Sequence, residues 1–305
     1  MITSTAPSQS LLGAALLTLS WVFFTTEMVA VRLLAGDLSI AQIGVFRQAT
    51  QVLAFLPLLL WSRGALLRTG RFKMHVARAS CSIGGMYLFY LAFALLPLAL
   101  ATTLTFLQAM FVLVLAALLL GERIGPRRIG AVIVGFLGVL IVMRPGFQAI
   151  DPGMLIALTG AFVASLLMIL TRSLSATEGR LTIMLYSSGL GLGMIAIPAA
   201  LTWAPIAPGH VPLLLLVGVA GTMGQFLMVG AYQVAEASAL APVDYVRLIF
   251  AVAAGFIVFG ELPDLWTWAG ATVILSAVAY ATHRARLAAD PPPSAPPPSA
   301  PGRTR

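Results

Sequence analysis

Four ionisable side chains interrupt stretches of sequence that are otherwise almost wholly apolar. Glu27 lies in FFTTEMVAV, Arg47 in IGVFRQAT, and Asp244 and Arg247 in PVDYVRLIF. A charge placed in an apolar medium is costly, so each such group needs a partner or a task. Glu27 stands about eight residues before the end of its apolar run, and Arg47 about eight after the start of the next. At about 1.5 Å per residue the two reach a similar depth, and a Glu27–Arg47 pair is expected. Asp244 and Arg247 are three apart and share a helix face. Such pairs have two readings: they neutralise one another and fix helix register, or they line a polar cavity. Gln48, Gln51, Thr102, Thr103, Thr105, Gln108, Gln225 and Gln233 add uncharged polar groups at the same depth. Each can also act as hydrogen-bonding glue between helices. Trp21, Tyr87, Tyr90, Tyr232 and Tyr245 can stack on a ligand or fill the core.

The elements that position these residues follow from composition. Of the 305 residues 60% are hydrophobic and 9% charged, and the mean hydropathy is +0.99. A water-soluble fold cannot hide that much apolar surface, so the chain is expected to be an all-α polytopic membrane protein. The net charge of +8 fits basic loops beside anionic lipid better than a nucleic-acid partner. At roughly twenty residues per crossing, ten transmembrane helices are expected, near 11–34, 39–61, 76–95, 98–120, 127–144, 153–172, 181–203, 211–234, 238–259 and 265–283. Residues 1–10 carry no basic charge and the first apolar run is long enough to span, so no cleaved leader is expected. Residues 285–305, rich in proline, are expected to be a disordered tail. Cys81 is the single cysteine and reads as a packing residue.

Lysine and arginine set the orientation. Arg63, Arg68, Arg71, Lys73 and Arg78, then Arg123, Arg127 and Arg128, then Arg172 and Arg180, and finally Arg284 and Arg286 all fall on one side if the spans alternate. Both termini are therefore expected in the cytoplasm. The chain also repeats. Gly121-Glu122 closes one apolar helix and, about 139 residues later, Gly260-Glu261 closes another, each followed by a proline, Pro126 or Pro263. Gly13 matches Gly153, Arg32 matches Arg172, Gly85 matches Gly224, Ala92-Phe93 matches Ala231-Tyr232, and Gly130 matches Gly270 at nearly the same offset. Five helices separate equivalent positions, and an odd number inverts the second copy. The first corner is ringed by arginine and the second is not, as inversion requires. The expected organisation is an inverted 5+5 repeat, residues 11–145 and 151–284, an arrangement typical of transporters with a site near the bilayer midplane.

LLLGERIGPRRIGAVIVGFLGVLIVMRPG and VFGELPDLWTWAGATVILSAVAY, with the paired corners and ten spans, resemble the drug/metabolite transporter superfamily, and within it the EamA-type permeases. The resemblance covers about residues 11–284. Family members often carry proline about twelve residues before each Gly-Glu, where this chain has Ala109 and Leu248. APVDYVRLIFAVAAGFIVFGELPDLWTW is similar to a subgroup that includes permeases for S-adenosylmethionine- or riboflavin-like metabolites. The resemblance implies a secondary transporter of a small amphipathic metabolite across the cytoplasmic (inner) membrane, with no enzymatic activity.

The site is expected to be bordered by Glu27, Arg47, Asp244 and Arg247 and shaped by Gln48, Gln51, Gln108, Tyr87, Tyr90 and Tyr245. A small-molecule substrate touching both signs would be zwitterionic, or would join a carboxylate to a cationic or aromatic part. Glu27 and Asp244, the acids deepest in the apolar runs, are the candidates for proton coupling. Glu261 is expected to favour the N-terminus of the helix that follows it. Ala131, Gly135 and Gly138 give the fifth span a small-residue face, so spans five and ten are expected to be scaffold or a homodimer contact. No cofactor is expected. Gly189, Gly191 and Gly193 lack the strand and the Lys-Ser/Thr of a phosphate loop. Lys73, the only lysine, sits in a loop, and the three histidines lie at different helix ends. An intramembrane lipid-modifying enzyme would need a convergent catalytic set that these positions do not offer. A passive channel fits poorly with so apolar an interior.

Overall fold

The apolar runs become helices whose ends are set by local chemistry. The computed structural model describes residues 7–62, 65–120, 126–144, 151–175, 177–235, 240 and 243–289. It contains α1 (Pro7–Leu34), α2 (Ile40–Trp61), a short 3₁₀ turn (Ala65–Leu67), α3 (Phe72–Leu95), α4 (Leu98–Thr105) and α5 (Leu107–Leu120). These are followed by α6 (Pro126–Met143), α7 (Pro152–Ser175), α8 (Arg180–Leu201), α9 (His210–Val234), α10 (Val246–Phe259) and α11 (Leu265–Ala289). Pro126 and Pro152 open α6 and α7, where a missing N–H costs nothing. The Ser39 hydroxyl accepts from the Gln42 N–H at 3.2 Å and caps α2. Gly260, at φ +68°, ends α10 in the left-handed conformation. Among the described residues seven stretches are long and apolar enough to cross a membrane, and Ile129–Met143, Val246–Phe259 and Leu265–Tyr280 are shorter apolar helices. Together they are compatible with ten spans.

Neighbours follow a twofold pattern. α1 lies along α9 and α3 along α7, while α2 meets α8, α4 meets α10 and α6 meets α11. With α1 equivalent to α7 and α3 to α9, the first two contacts are copies of one another, α2–α8 and α6–α11 join equivalents, and α4–α10 joins segments of the equivalent fourth and ninth spans. Single residues repeat the pattern. A Cβ on Gly85 would lie 3.7 Å from Val163, and a Cβ on Gly224 would lie 3.1 Å from Phe24. Gly85 and Gly224 are repeat equivalents, and so are Phe24 and Val163.

The fourth span is not the continuous helix expected over 98–120. It breaks at Phe106, whose N–H reaches the Thr103 carbonyl at 3.2 Å, and the Ala109 N–H returns to the Phe106 carbonyl at 3.2 Å. The ninth span breaks at the equivalent place: Tyr245 is a turn residue, and the Leu248 N–H reaches its carbonyl at 3.1 Å. Ala109 and Leu248 thus stand in the first turn after a break, where proline is tolerated without being needed. The Phe106 and Tyr245 rings touch edge-to-face with centroids 5.8 Å apart. Equivalent residues in contact lie beside the pseudo-twofold axis.

One further expectation needs correction. Glu261 does not serve the helix that follows it; Asp264 does, its Oδ1 accepting the Thr267 N–H at 2.8 Å. Glu261 instead receives the guanidinium of Arg32 and, through Oε2, the Leu98 N–H at 3.2 Å, so it caps α4. Its reach is tertiary and is not set by sequence neighbours. The small-residue face of α6 is covered within the chain. A Cβ on Gly138 would lie 2.7 Å from Ile274 of α11, and one on Gly135 would lie 3.2 Å from Met110. The Gly121-Glu122 corner and residues 290–305 of the tail lie outside the described residues.

Candidate functional site

α1 and α2 bring Glu27 and Arg47 to one level, each seven residues from the helix end they share, or about 10 Å below it. Arg47 Nε donates to Glu27 Oε1 at 2.7 Å. The Tyr90 hydroxyl of α3 donates to the same oxygen. Arg47 Nη1 also donates to Gln48 Oε1 at 2.9 Å, with Gln51 Oε1 at 3.5 Å. Glu27 and Tyr90 are each 4% exposed, so this is a buried, hydrogen-bonded ion pair. α9 passes directly against it: a Cβ on Gly221 would lie 2.7 Å from Glu27 Oε1 and 2.9 Å from Arg47 Nε.

Arg247 enters from the first turn of α10. Its guanidinium carbon lies 3.9 Å from the Phe106 ring centroid and 5.1 Å from that of Trp21. Asp244 Oδ2 is 3.9 Å from its Nη2, an ion pair too long for a hydrogen bond. Asp244 therefore balances Arg247 only loosely.

A cavity of about 280 Å³ lies between these groups, near the lower end of ordinary small-ligand pockets. Helices of both halves wall it: α1, α2, α3, α4 and α5 from the first, and α7, α9 and α10 from the second. Among the described residues α6 and α11 contribute none to its wall. Of the ten residues expected at the site, Glu27, Arg47, Tyr90, Gln108 and Arg247 line it. The other five stand behind the wall. Gln48 and Gln51 are buried and support Arg47. Tyr87 packs on the cluster of Ala41, Ile83, Ile195 and Ala199, beside Tyr90 on α3 but short of the cavity wall. Tyr245 is held against Phe106, and Asp244 is 30% exposed outside the cavity.

The missed wall residues are mostly apolar. Phe24, Met28, Met86, Phe89, Phe93 and Met228 line the cavity, as do Trp21, Thr102, Thr105 and Gln225. An aromatic residue in an apolar span carries no contrast in sequence. The repeat was the usable signal, because Gly85 and Phe24 are wall residues that belong to its duplicated helix contacts. A separate groove bounded by Val29, Leu33, Leu213 and Val258 holds no ionisable wall residue, and Leu33 and Val258 face outward.

The two ends differ. At the end shared by Arg32 and Leu98, buried Val31, Leu34, Leu38, Ile43, Leu96 and Leu98 form one apolar cluster above the cavity. Three ion pairs lie there, Arg32–Glu261, Arg144–Asp264 and His210–Asp37. At the other end, apart from His75–Glu178 at 4.0 Å, the contacts among the described residues join a charged or hydroxyl side chain to a neutral partner. Arg71 reaches the Ser173 carbonyl at 3.1 Å, Thr69 reaches Glu178 at 2.6 Å, and Tyr186 reaches the Leu67 carbonyl at 2.7 Å.

A chain of apolar crossing helices, built from two repeated halves around a central charged and aromatic cavity, is a polytopic membrane transporter. Comparison with known proteins gives the family. A model of the EamA-like transporter family matches residues 11–144 and 151–282, and the chain belongs to that family. An S-adenosylmethionine uptake transporter of Rickettsia bellii is 27% identical over 270 residues, covering 88% of this chain and 92% of the relative. A riboflavin transporter of Rhizobium johnstonii is 29% identical, covering 89% and 91%. A pseudopaline exporter of Pseudomonas aeruginosa is also 29% identical, covering 87% and 94%. A solved crystal structure superposes with a TM-score of 0.60 at 18% identity, covering 92% of this chain and 99% of the other, a likeness of fold alone.

Proposed function

We propose that the protein is a secondary active transporter that moves a small amphipathic metabolite, such as an amino acid or a related compound, across the cytoplasmic membrane by alternating access. The observation that carries this reading is the cavity: charged, aromatic, centrally placed and walled by both halves. Its place between inverted repeats is where transporters of this architecture bind substrate. The end bearing Arg32 and Glu261 faces outward in this reading, both termini are cytoplasmic, and residues 11–145 and 151–284 are the two repeats. Glu27 is the proton-coupling group, because it is the acid on the cavity wall. The S-adenosylmethionine and riboflavin relatives support a second reading, uptake of a metabolite of that size and kind.

The test is reconstitution. A thermal-shift screen of purified protein against amino acids, nucleoside-like metabolites and organic cations selects ligands, since binding to the folded state raises its stability. Uptake of each hit is then measured in proteoliposomes with and without a pH gradient. Accumulation that follows the gradient, and loses that dependence in Glu27→Gln, is the expected result. Binding without transport of any hit refutes the reading.

A further inference from the structure

The wall's charges are not equivalent. Glu27 and Arg47 are engaged with each other, and Tyr90 occupies the same carboxylate oxygen. Their charges cancel, and Glu27 has little capacity left for a substrate cation. Arg247 is different. Its nearest carboxylate is 3.9 Å away and off the cavity wall, and its guanidinium plane is held by aromatic rings. Among the described residues none accepts a hydrogen bond from its Nε. The same is true of Trp21 Nε1, and Thr102 Oγ1 is likewise without a partner. All three residues stand on the cavity wall. Guanidinium and indole nitrogens only donate, and a threonine hydroxyl can donate. The wall therefore presents three unengaged groups able to donate, with Trp21 directly beside Arg247. Its repeat equivalent, Gln108, is neutral and is turned to the Ala164 carbonyl at 3.4 Å, so the anion-binding character is confined to one half.

We infer, building on the transport reading, that the substrate is a carboxylate with a flat apolar or aromatic body, held at its carboxylate by Arg247 with Trp21 and Thr102, and that an ammonium group adds little to binding. The guanidinium fork matches a carboxylate in two parallel bonds. Phe24, Phe89, Phe93 and the methionines Met28, Met86 and Met228 receive the body.

Four indole probes separate the contributions. L-tryptophan has both charges, indole-3-propionate has only the carboxylate, and tryptamine and L-tryptophanamide have only the cation. Binding to purified full-length protein is measured by titration calorimetry and thermal shift. The two carboxylates are expected to bind within about threefold of each other, and the two cations at least about tenfold more weakly. Arg247→Gln should abolish that discrimination, and Arg247→Lys, which keeps charge but loses the fork, should retain part of it. Ligand-free melting of each variant shows that it is folded. Cations binding as well as carboxylates, no carboxylate binding at about 10 mM, or discrimination surviving in Arg247→Gln would each overturn the inference. Proteoliposome uptake separates the two levels. Transport of neutral or cationic metabolites alone keeps the transport reading and removes this one. Carboxylate binding without transport does the reverse.

Discussion

Gly221→Ala tests whether the Glu27–Arg47–Tyr90 group is as tightly held as its contacts imply. The new methyl would lie 2.7 Å from Glu27 Oε1, 2.9 Å from Glu27 Cδ and 2.9 Å from Arg47 Nε. Restoring an ordinary contact of 3.4 Å moves the carboxylate oxygen by about 0.7 Å. That oxygen already accepts from both Arg47 and Tyr90, so the shift spoils two hydrogen bonds at once. Overpacking alone costs about 1–3 kcal/mol, and weakening one charge-assisted bond adds about 1.5 kcal/mol. A loss of roughly 2.5–4.5 kcal/mol follows, or a fall in melting temperature on the order of 4–7 °C in a chain of this size. Melting in detergent, followed by intrinsic fluorescence, measures it. Glu27→Asp withdraws the carboxylate by one methylene and supplies the control. Added to Gly221→Ala, it should cost at least about 1 kcal/mol less than it does alone. A Gly221→Ala protein that melts within about 1 °C of the parent, or costs that simply add, would refute the picture of a rigid pair pressed against α9.

Three other outcomes are expected. In a Cys81→Ala background, a membrane-impermeant thiol reagent applied from outside should label a cysteine at position 264 and miss one at position 68; the reverse pattern removes the proposed orientation. Gly138→Leu should destabilise the fold by about 1–3 kcal/mol, because the α6–α11 contact has no room for a side chain. Relative uptake of competing substrates should be unchanged in the surviving protein, and a shift in selectivity would put α6 at the site. Glu261→Gln keeps an acceptor for the Leu98 N–H but loses the charge facing Arg32, and should lower stability by about 1 kcal/mol. Arg32→Gln should add little to that loss in melting experiments, and full additivity would show that the two do not act as a pair.

Much of the architecture was legible because it depends on averages and offsets. The apolar runs, the repeat and the depth of Glu27 and Arg47 all follow from counting along the chain. The breaks at Phe106 and Tyr245 were not legible, because neither has proline or glycine as its immediate neighbour. The Arg32–Glu261 contact joins residues 229 positions apart, and nothing local distinguishes it from a helix-end charge. The site was half visible. Charge marked Glu27, Arg47 and Arg247, but helix rotation decided that Tyr90 would face the cavity and Tyr87 would not. Much of the rest of the wall is phenylalanine and methionine, which look the same in sequence whether they face a ligand, a neighbour or lipid.

The edge-to-face contact of Phe106 and Tyr245 has a mechanical meaning. Exchanging the shapes of two inverted halves moves every contact onto its partner, so α1–α9 takes the place of α3–α7. A contact between equivalents beside the axis maps onto itself. Under the alternating access proposed above, it would act as a fulcrum while the helices on either side trade places. The guanidinium of Arg247 rests on the Phe106 ring, 3.9 Å from its centre. In that proposed motion, whatever grips the guanidinium would push at the pivot.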